Sequence, residues 1–196
     1  MRRGCSRAYH RGVLRPEYPI RTERLVLRPY VESDFAGLYA MQSDPAVVRY
    51  LYWEVHDEAA SRQALTRRLT QTALADEGES LCLAVELPGN GVIGDVLLRW
   101  LSRVHQQGEI GFVFNPKFHG KGYAREAAEA VLRLGFEALG LHRIKGCCDS
   151  LNTPSARLME RMGMRREAHF VEDEMFKGQW GDQYVYAMLD REWKAR

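Results

Sequence analysis

Apolar positions along this chain change their period several times, and each change marks an element. Leu25 and Leu27, on either side of Val26, lead to Arg28-Pro29 and predict a first strand that the proline stops. Between residues 33 and 75 the spacing turns helical. Ser33 can cap a short helix over Asp34 to Gln42, Asp44-Pro45 is a second start with proline at the first helical position, and Asp57 opens a longer helix reaching about Ala75. Leu65 and Leu69 share one face of that helix, while Arg62, Arg67 and Arg68 fall largely on the other. Period 2 then returns. Leu81 to Leu87 and Val92 to Leu101 read as strands joined by Pro88-Gly89-Asn90-Gly91, whose Asn-Gly pair is a hairpin signal, and Glu109 to Phe114 is a third strand ending at Asn115-Pro116.

Farther along, Ala124, Ala127, Ala128, Val131, Leu132 and Leu139 trace one face of a helix from about Gly122 to Leu139, ended by Gly140. Arg143 to Cys148 is the next strand, and Thr153-Pro154 starts a helix that stops at Gly163. Two strands near Arg165 to Val171 and Gln183 to Leu189 complete the pattern. A meander followed by alternating helices and strands predicts an α/β (α+β) fold, one mixed sheet of about six to seven strands with helices on its faces. No repeat or low-complexity linker interrupts it, so residues 19–196 are expected to form one domain.

Composition narrows the class. With 196 residues, 45% hydrophobic and 28% charged, the chain can bury about 70% of its unfolded surface and needs neither disulfides nor a structural metal. The net charge of +2 is unevenly spread. Residues 1–28 hold eight arginines against Glu17 and Glu23, so the body is mildly acidic and offers no nucleic-acid footprint. Residues 1–18 read as a disordered basic tail, with a transit peptide as the alternative because residues 1–16 carry arginine and no acid. No apolar run approaches the ~18 residues of a membrane span, and a soluble, cytoplasmic protein without membrane contact is expected. Cys5, Cys82, Cys147 and Cys148 form no C-x-x-C pair and the six histidines no H-E-x-x-H spacing, which predicts reduced thiols and no metal site.

The segment richest in chemistry is Phe114-Asn115-Pro116-Lys117-Phe118-His119-Gly120-Lys121-Gly122-Tyr123-Ala124, a strand passing through a glycine-spaced loop into a helix. Free N–H groups at a helix start, together with the helix dipole, bind anions, and Gly120 and Gly122 allow a phosphate close to the main chain. Lys117 and Lys121 add charge. Arg125 stands where a dinucleotide fingerprint needs a third glycine, and the P-loop spacing is absent as well.

Here the chain resembles the GCN5-related N-acetyltransferases. Lys117-Phe118-His119-Gly120-Lys121-Gly122 is similar to their coenzyme A motif, [Q/R]-x-x-G-x-[G/A], with Lys in its first position. Three more stretches are similar: Arg24 to Arg28 with Ser33-Asp34, Leu151-Asn152-Thr153-Pro154-Ser155-Ala156, and Lys177-Gly178-Gln179-Trp180-Gly181-Asp182. The resemblance covers about residues 20–193, and the chain looks most like the Rim-type branch, which acetylates ribosomal-protein N-termini and includes many members of unknown acceptor. The resemblance implies a mostly antiparallel sheet splayed near its middle. It also implies acetyl-CoA as co-substrate, its pyrophosphate held by backbone around Phe118 to Ala124, its pantetheine along Phe112, Val113 and Phe114 and hydrogen-bonded by Asn152. Tyr52, Trp53 and Trp180 fall in regions that line the acceptor side.

Acetyl transfer to an amine needs a neutral nucleophile, a polarised carbonyl and a proton for the departing thiolate. An aliphatic amine with a pKa of ~10.4 needs a base more than an α-amine at ~7.7 to 8.0 does. Glu109 is the first candidate base, with Glu172 and Glu174 as rivals. Many family members use a tyrosine as general acid where this chain has Met159, so the acid implied is Ser155, as in the Rim-type branch. A main-chain N–H of Val113 or Phe114 would polarise the carbonyl. The acceptor, whether a protein α-amine, a polyamine or an aminoglycoside, stays open, as does a monomer or homodimer. A silent acyl-CoA-binding domain and a basic-tailed nucleic-acid adaptor are the rival classes.

Overall fold

A computed structural model describes residues 12–196. Its strands are β1 (Ile20–Arg21), β2 (Val26–Arg28), β3 (Ser80–Leu87), β4 (Gly91–Ser102), β5 (Gln107–Phe114), β6 (Arg143–Asp149), β7 (Arg165–Phe176) and β8 (Gln179–Leu189). They form one eight-stranded sheet in the order β1-β2-β3-β4-β5-β6-β8-β7. The helices are α1 (Phe35–Gln42), α2 (Pro45–Val48), α3 (Glu58–Thr70), α4 (Tyr123–Arg133), which continues as a π-helical stretch over Leu134–Leu139, α5 (Thr153–Arg161) and α6 (Asp190–Lys194). The strand beyond the expected six to seven is β1, whose two residues are too few to show a period.

Side-chain alternation sorts the helices onto two faces. Leu81, Leu83 and Val85 of β3 join Val96, Leu98 and Ile110 beneath Ala127, Ala128, Val131 and Leu132 of α4, with Ala156, Leu158 and Met159 of α5 in the same cluster. Cys82 and Ala84 point the other way, against Tyr30, Leu38 and Met41 of α1, and Leu65 of α3. The stripe on α4 is fully withdrawn from water, and burying a side chain such as Leu132 stabilises by about 1.5–3 kcal/mol.

All strand pairs are antiparallel except β5 with β6. That parallel pairing runs only from Gln107↔Arg143 to Glu109↔Lys145. Beyond it the two strands part, which is the splay in mid-sheet.

Several boundaries differ from the expectations. The helix opened by Asp57, whose carboxylate accepts from the Ala60 amide, ends at Thr70 and not near Ala75. The chain after it is taken up by residue 14: Leu14 and Leu74 exchange backbone hydrogen bonds of 2.8 and 2.9 Å. Leu14 is 5% exposed within the core, and the Tyr18 hydroxyl donates to the Thr72 carbonyl at 2.7 Å. The packed domain therefore begins ahead of the expected boundary after residue 18; residues 1–11 of the expected tail lie outside the described residues. Ser33 caps nothing. A 3₁₀ turn over Glu32–Asp34 precedes α1, and Asp34 turns inward to the Arg28 guanidinium at 2.7 and 2.9 Å. Strands β7 and β8 are longer than expected and meet at Lys177-Gly178, both at positive φ. Glu172-Asp173-Glu174 lies within β7, beyond the expected strand end at Val171, and the register slips there, between Phe170 and Glu174, with Glu172 at φ 49.

Candidate active site

The glycine loop folds as its spacing requires. The Asn115 carboxamide accepts from the Lys117 amide to start a 3₁₀ turn over Pro116–Phe118, and Gly120 and Gly122 then take φ of 76 and 83. Gly122 is the N-cap of α4, and a cap without a side chain leaves the first-turn N–H groups with no capping oxygen. They border a cleft of about 600 Å³.

That cleft collects most of the expected residues. Phe112, Val113, Phe114, Phe118, His119, Gly120, Gly122, Tyr123 and Ala124 line it from β5 and the loop, and Asn152 and Ser155 from the start of α5. Lys117 and Lys121 are exposed and do not line it. The cations that do are Arg125, which also pairs with Glu129, and Arg161. Both were missed by the sequence reading. Arg161 has a legible signal, because Ser155, Leu158 and Arg161 fall on one face of α5 at spacing 3 and all line the cleft. Ala46, Val47, Tyr50 and Leu51 form the remaining wall and carry none.

Backbone direction decides which amides face the gap between β5 and β6. The Asn115 amide donates to the Ile93 carbonyl on the β4 side at 2.9 Å. By strand alternation the Val113 amide also points to β4, opposite Asp95, whereas Phe112 and Phe114 present theirs to the open edge. Val113 is thereby removed as a carbonyl-polarising donor. His119 Nε2 donates to the Phe114 carbonyl at 3.0 Å and ties the loop to the end of β5.

On α5, Asn152 Oδ1 accepts from the Ser155 amide at 3.2 Å. The same contact caps the helix, leaves the Asn152 amide protons for another partner and keeps the Ser155 hydroxyl out of the cap. Met159 is 1% exposed, with its sulfur packed under Gly146, so the helix position four after Ser155 serves the core.

The opposite face of the splay is acidic. Glu109 alternates with Ile110, and Cys147 with Cys148, so both point away from α4 and α5. Glu109 holds Lys145 at 3.1 Å. The Tyr52 hydroxyl donates to Glu174 at 2.6 Å, and its ring meets Phe176 edge-on at 5.7 Å. Shielding of that hydroxyl, then the Glu174 carboxylate, pushes the Tyr52 pKa up, with Cys147 and Glu109 adding to the field. Lys177 Nζ donates to the carbonyls of Val48 and Trp53 at 2.9 and 3.0 Å and fastens the β7–β8 turn to the end of α2 and the segment after it. Glu172 and Trp180 are exposed, the latter by 61%, while Trp53 lies inward beside Arg68 and Asp95. Burial raises the pKa of all three described thiols, Cys148 to about 12, which keeps them protonated.

Comparison with known proteins places this architecture. The acetyltransferase (GNAT) domain profile matches residues 24–165. The uncharacterized N-acetyltransferase YnaD of Bacillus subtilis (strain 168) is 36% identical over 180 residues, 89% of this chain and 98% of its own length. A crystal structure of a GNAT-family acetyltransferase from Bacillus anthracis superposes with a TM-score of 0.79 at 36% identity, covering 89% of this chain and 99% of that one. The spermidine N(1)-acetyltransferase of Escherichia coli (strain K12) is 24% identical over 154 residues, 79% of this chain and 80% of its own. With its splayed sheet, its glycine-capped helix and these relatives, the chain belongs to the GNAT family of N-acetyltransferases.

Proposed function

We propose that the protein transfers an acetyl group from acetyl-CoA to a primary amine of a small, multiply charged cation, by direct attack in a ternary complex. The observation that carries the acceptor class is the acidic face of the splay. Glu109, Asp173 and Glu174 all act electrostatically on the Cys147 thiol, with the Lys145 ammonium opposing them, and Glu174 holds the Tyr52 hydroxyl. Such a wall suits an amine whose second ammonium must be held while the first reacts.

The residues present fit acetyl-CoA: glycines at positive φ, an uncapped helix start and a cleft of about 600 Å³ that runs from the loop to β5. When bound, acetyl-CoA supplies a thioester carbonyl and a thiolate leaving group. The Phe112 or Phe114 amide polarises the carbonyl from the open strand edge. Glu109, at the last position of β5 paired with β6, takes the proton of an ammonium whose ordinary pKa of ~10.4 leaves little free amine at neutral pH. Ser155, across the cleft, gives a proton to the sulfur. The protonated state of the thiols supports direct attack over an acyl-cysteine route.

Thiol release should be followed with spermidine and spermine, peptide N-termini and aminoglycosides as acceptors. Preferred turnover of the polyamines is expected. Turnover confined to peptide N-termini would move the acceptor to the protein α-amine that the Rim-type resemblance implies, and release with none of them would favour a silent acyl-CoA-binding domain.

A further inference from the structure

The stretch Thr22-Glu23-Arg24 lies about a hundred residues before the glycine loop, yet it is bonded to the loop. Arg24 Nη1 donates to the Lys121 carbonyl at 2.9 Å, on one side of the Gly122 cap. Its Nε and Nη2 reach Glu126 at 2.7 Å on the other side, in the first turn of α4. The guanidinium also lies 4.7 Å from the Tyr123 ring centroid. One planar fork thus spans the cap, so the positions of Lys121, Tyr123 and Glu126 are fixed together. Thr22 Oγ1 and the Arg24 amide add bonds of 2.6 and 2.8 Å to the second Glu126 oxygen.

Glu126 is oddly placed for an anion site. A carboxylate in the first turn of a helix favours the helix but repels a phosphate brought to the same N-terminus. Here its four donors come from Thr22 and Arg24 and compensate its charge, and Glu126 does not line the cleft.

We infer that Arg24 is a positioning residue for the coenzyme: it sets the Lys121–Tyr123 backbone for phosphate and neutralises Glu126, without itself taking part in acetyl transfer. This rests on the reading of the cleft as the acetyl-CoA site. Gly122 belongs to the same device, since a Cβ there would come within 3.3 Å of Arg24 Nη2.

The test measures acetyl-CoA affinity by calorimetry and steady-state kinetics on the wild type and on Arg24→Ala, Arg24→Lys, Glu126→Gln and Arg24→Ala/Glu126→Gln, with thermal melting to confirm folding. Arg24→Ala should raise Kd and KM for acetyl-CoA at least tenfold, with kcat at saturation and acceptor KM changed less than threefold. Arg24→Lys keeps the charge and loses the fork, and should fall between. The double variant should regain part of the affinity lost in Arg24→Ala, because the exposed carboxylate is gone; a general loss of packing gives no such recovery. Unchanged acetyl-CoA affinity in folded Arg24→Ala, or a double variant no better than the single one, overturns the inference. Should Arg24→Ala melt too low to measure, Arg24→Lys against Arg24→Lys/Glu126→Gln gives the same comparison. A wild type that binds no acetyl-CoA overturns the reading of the cleft itself, a different failure.

Discussion

Tyr52 and Glu174 are 122 positions apart in sequence, yet the phenol donates to the carboxylate at 2.6 Å. The bond gives the two rival carboxylates different work. Glu174 is occupied in holding Tyr52 to the β7–β8 hairpin, whereas Glu109, paired with the Lys145 ammonium, sits on β5 beside the gap that joins the two faces.

Glu109→Gln should therefore lower kcat by about 10² to 10⁴-fold and remove the acidic limb of the rate profile, the signature of a positioned base. Glu174→Gln should instead raise acceptor KM with a small change in kcat. Initial-rate measurements from pH 5 to 9 on both variants check this. An intact acidic limb in Glu109→Gln would transfer the role to Glu172 or Glu174.

At the loop, Gly122→Asp should weaken acetyl-CoA binding at least tenfold. It forces a side chain onto a residue at φ 83 and puts a negative charge at the positive end of α4. Calorimetry on the folded variant reads it, and undiminished affinity would remove the loop as the phosphate site.

A third expectation concerns Leu14, which sits in the core although arginines surround it in sequence. Leu14→Ala should cost about 2–5 kcal/mol, the range for emptying a buried leucine site. A chain truncated to begin at Pro19 should melt lower still, because it also loses the Tyr18–Thr72 hydrogen bond. Denaturant midpoints at unchanged slope make the comparison, and a truncated chain as stable as the full one would show that this contact contributes nothing.

Leu14 also shows where sequence reading stops. Period and punctuation found the sheet, the glycine loop and the α4 stripe, since each is written in residues close together in the chain. One buried leucine in a basic segment has no period to reveal it. The pairing of Arg24 with Glu126, the pairing of Tyr52 with Glu174, and the direction of the Phe112 and Phe114 amides depend on chain reversals and register that no local spacing encodes. Arg161 was legible in principle, through its helical spacing from Ser155, but a charge in a last helical turn reads first as a dipole partner.

Between α3 and β4, Arg68 donates to Asp95 at 3.0 Å with both side chains largely withdrawn from water, and the Tyr30 hydroxyl meets the same oxygen at 3.2 Å. Arg68→Ala should destabilise the fold by about 3–5 kcal/mol, because it leaves the Asp95 carboxylate buried with no cation. Chemical denaturation measures this. A loss under about 1 kcal/mol would mean that water reaches Asp95 once the arginine is gone.

The last prediction follows the Glu126 carboxyl through acid. Burial alone would raise its pKa, but the Thr22 hydroxyl, the Arg24 amide and the Arg24 guanidinium outweigh burial and hold it below its ordinary value of 4.5. A carboxyl depressed in the folded state binds its proton more readily once the chain unfolds, so its contribution is complete above pH 4.5 and is lost as pH falls through the lower, folded value. Glu126→Gln should thus be less stable than the wild type at pH 7, with a difference that closes steadily below pH 4.5. Other depressed carboxyls, Glu167 and Asp190 among them, remain in both proteins, so the wild type still loses stability in acid and only the gap between the two curves reports on Glu126. Denaturant midpoints taken from pH 7 to 3 give that gap. A constant difference across the range would mean that the clamp acts through shape alone and that the charge on Glu126 does not matter to the fold.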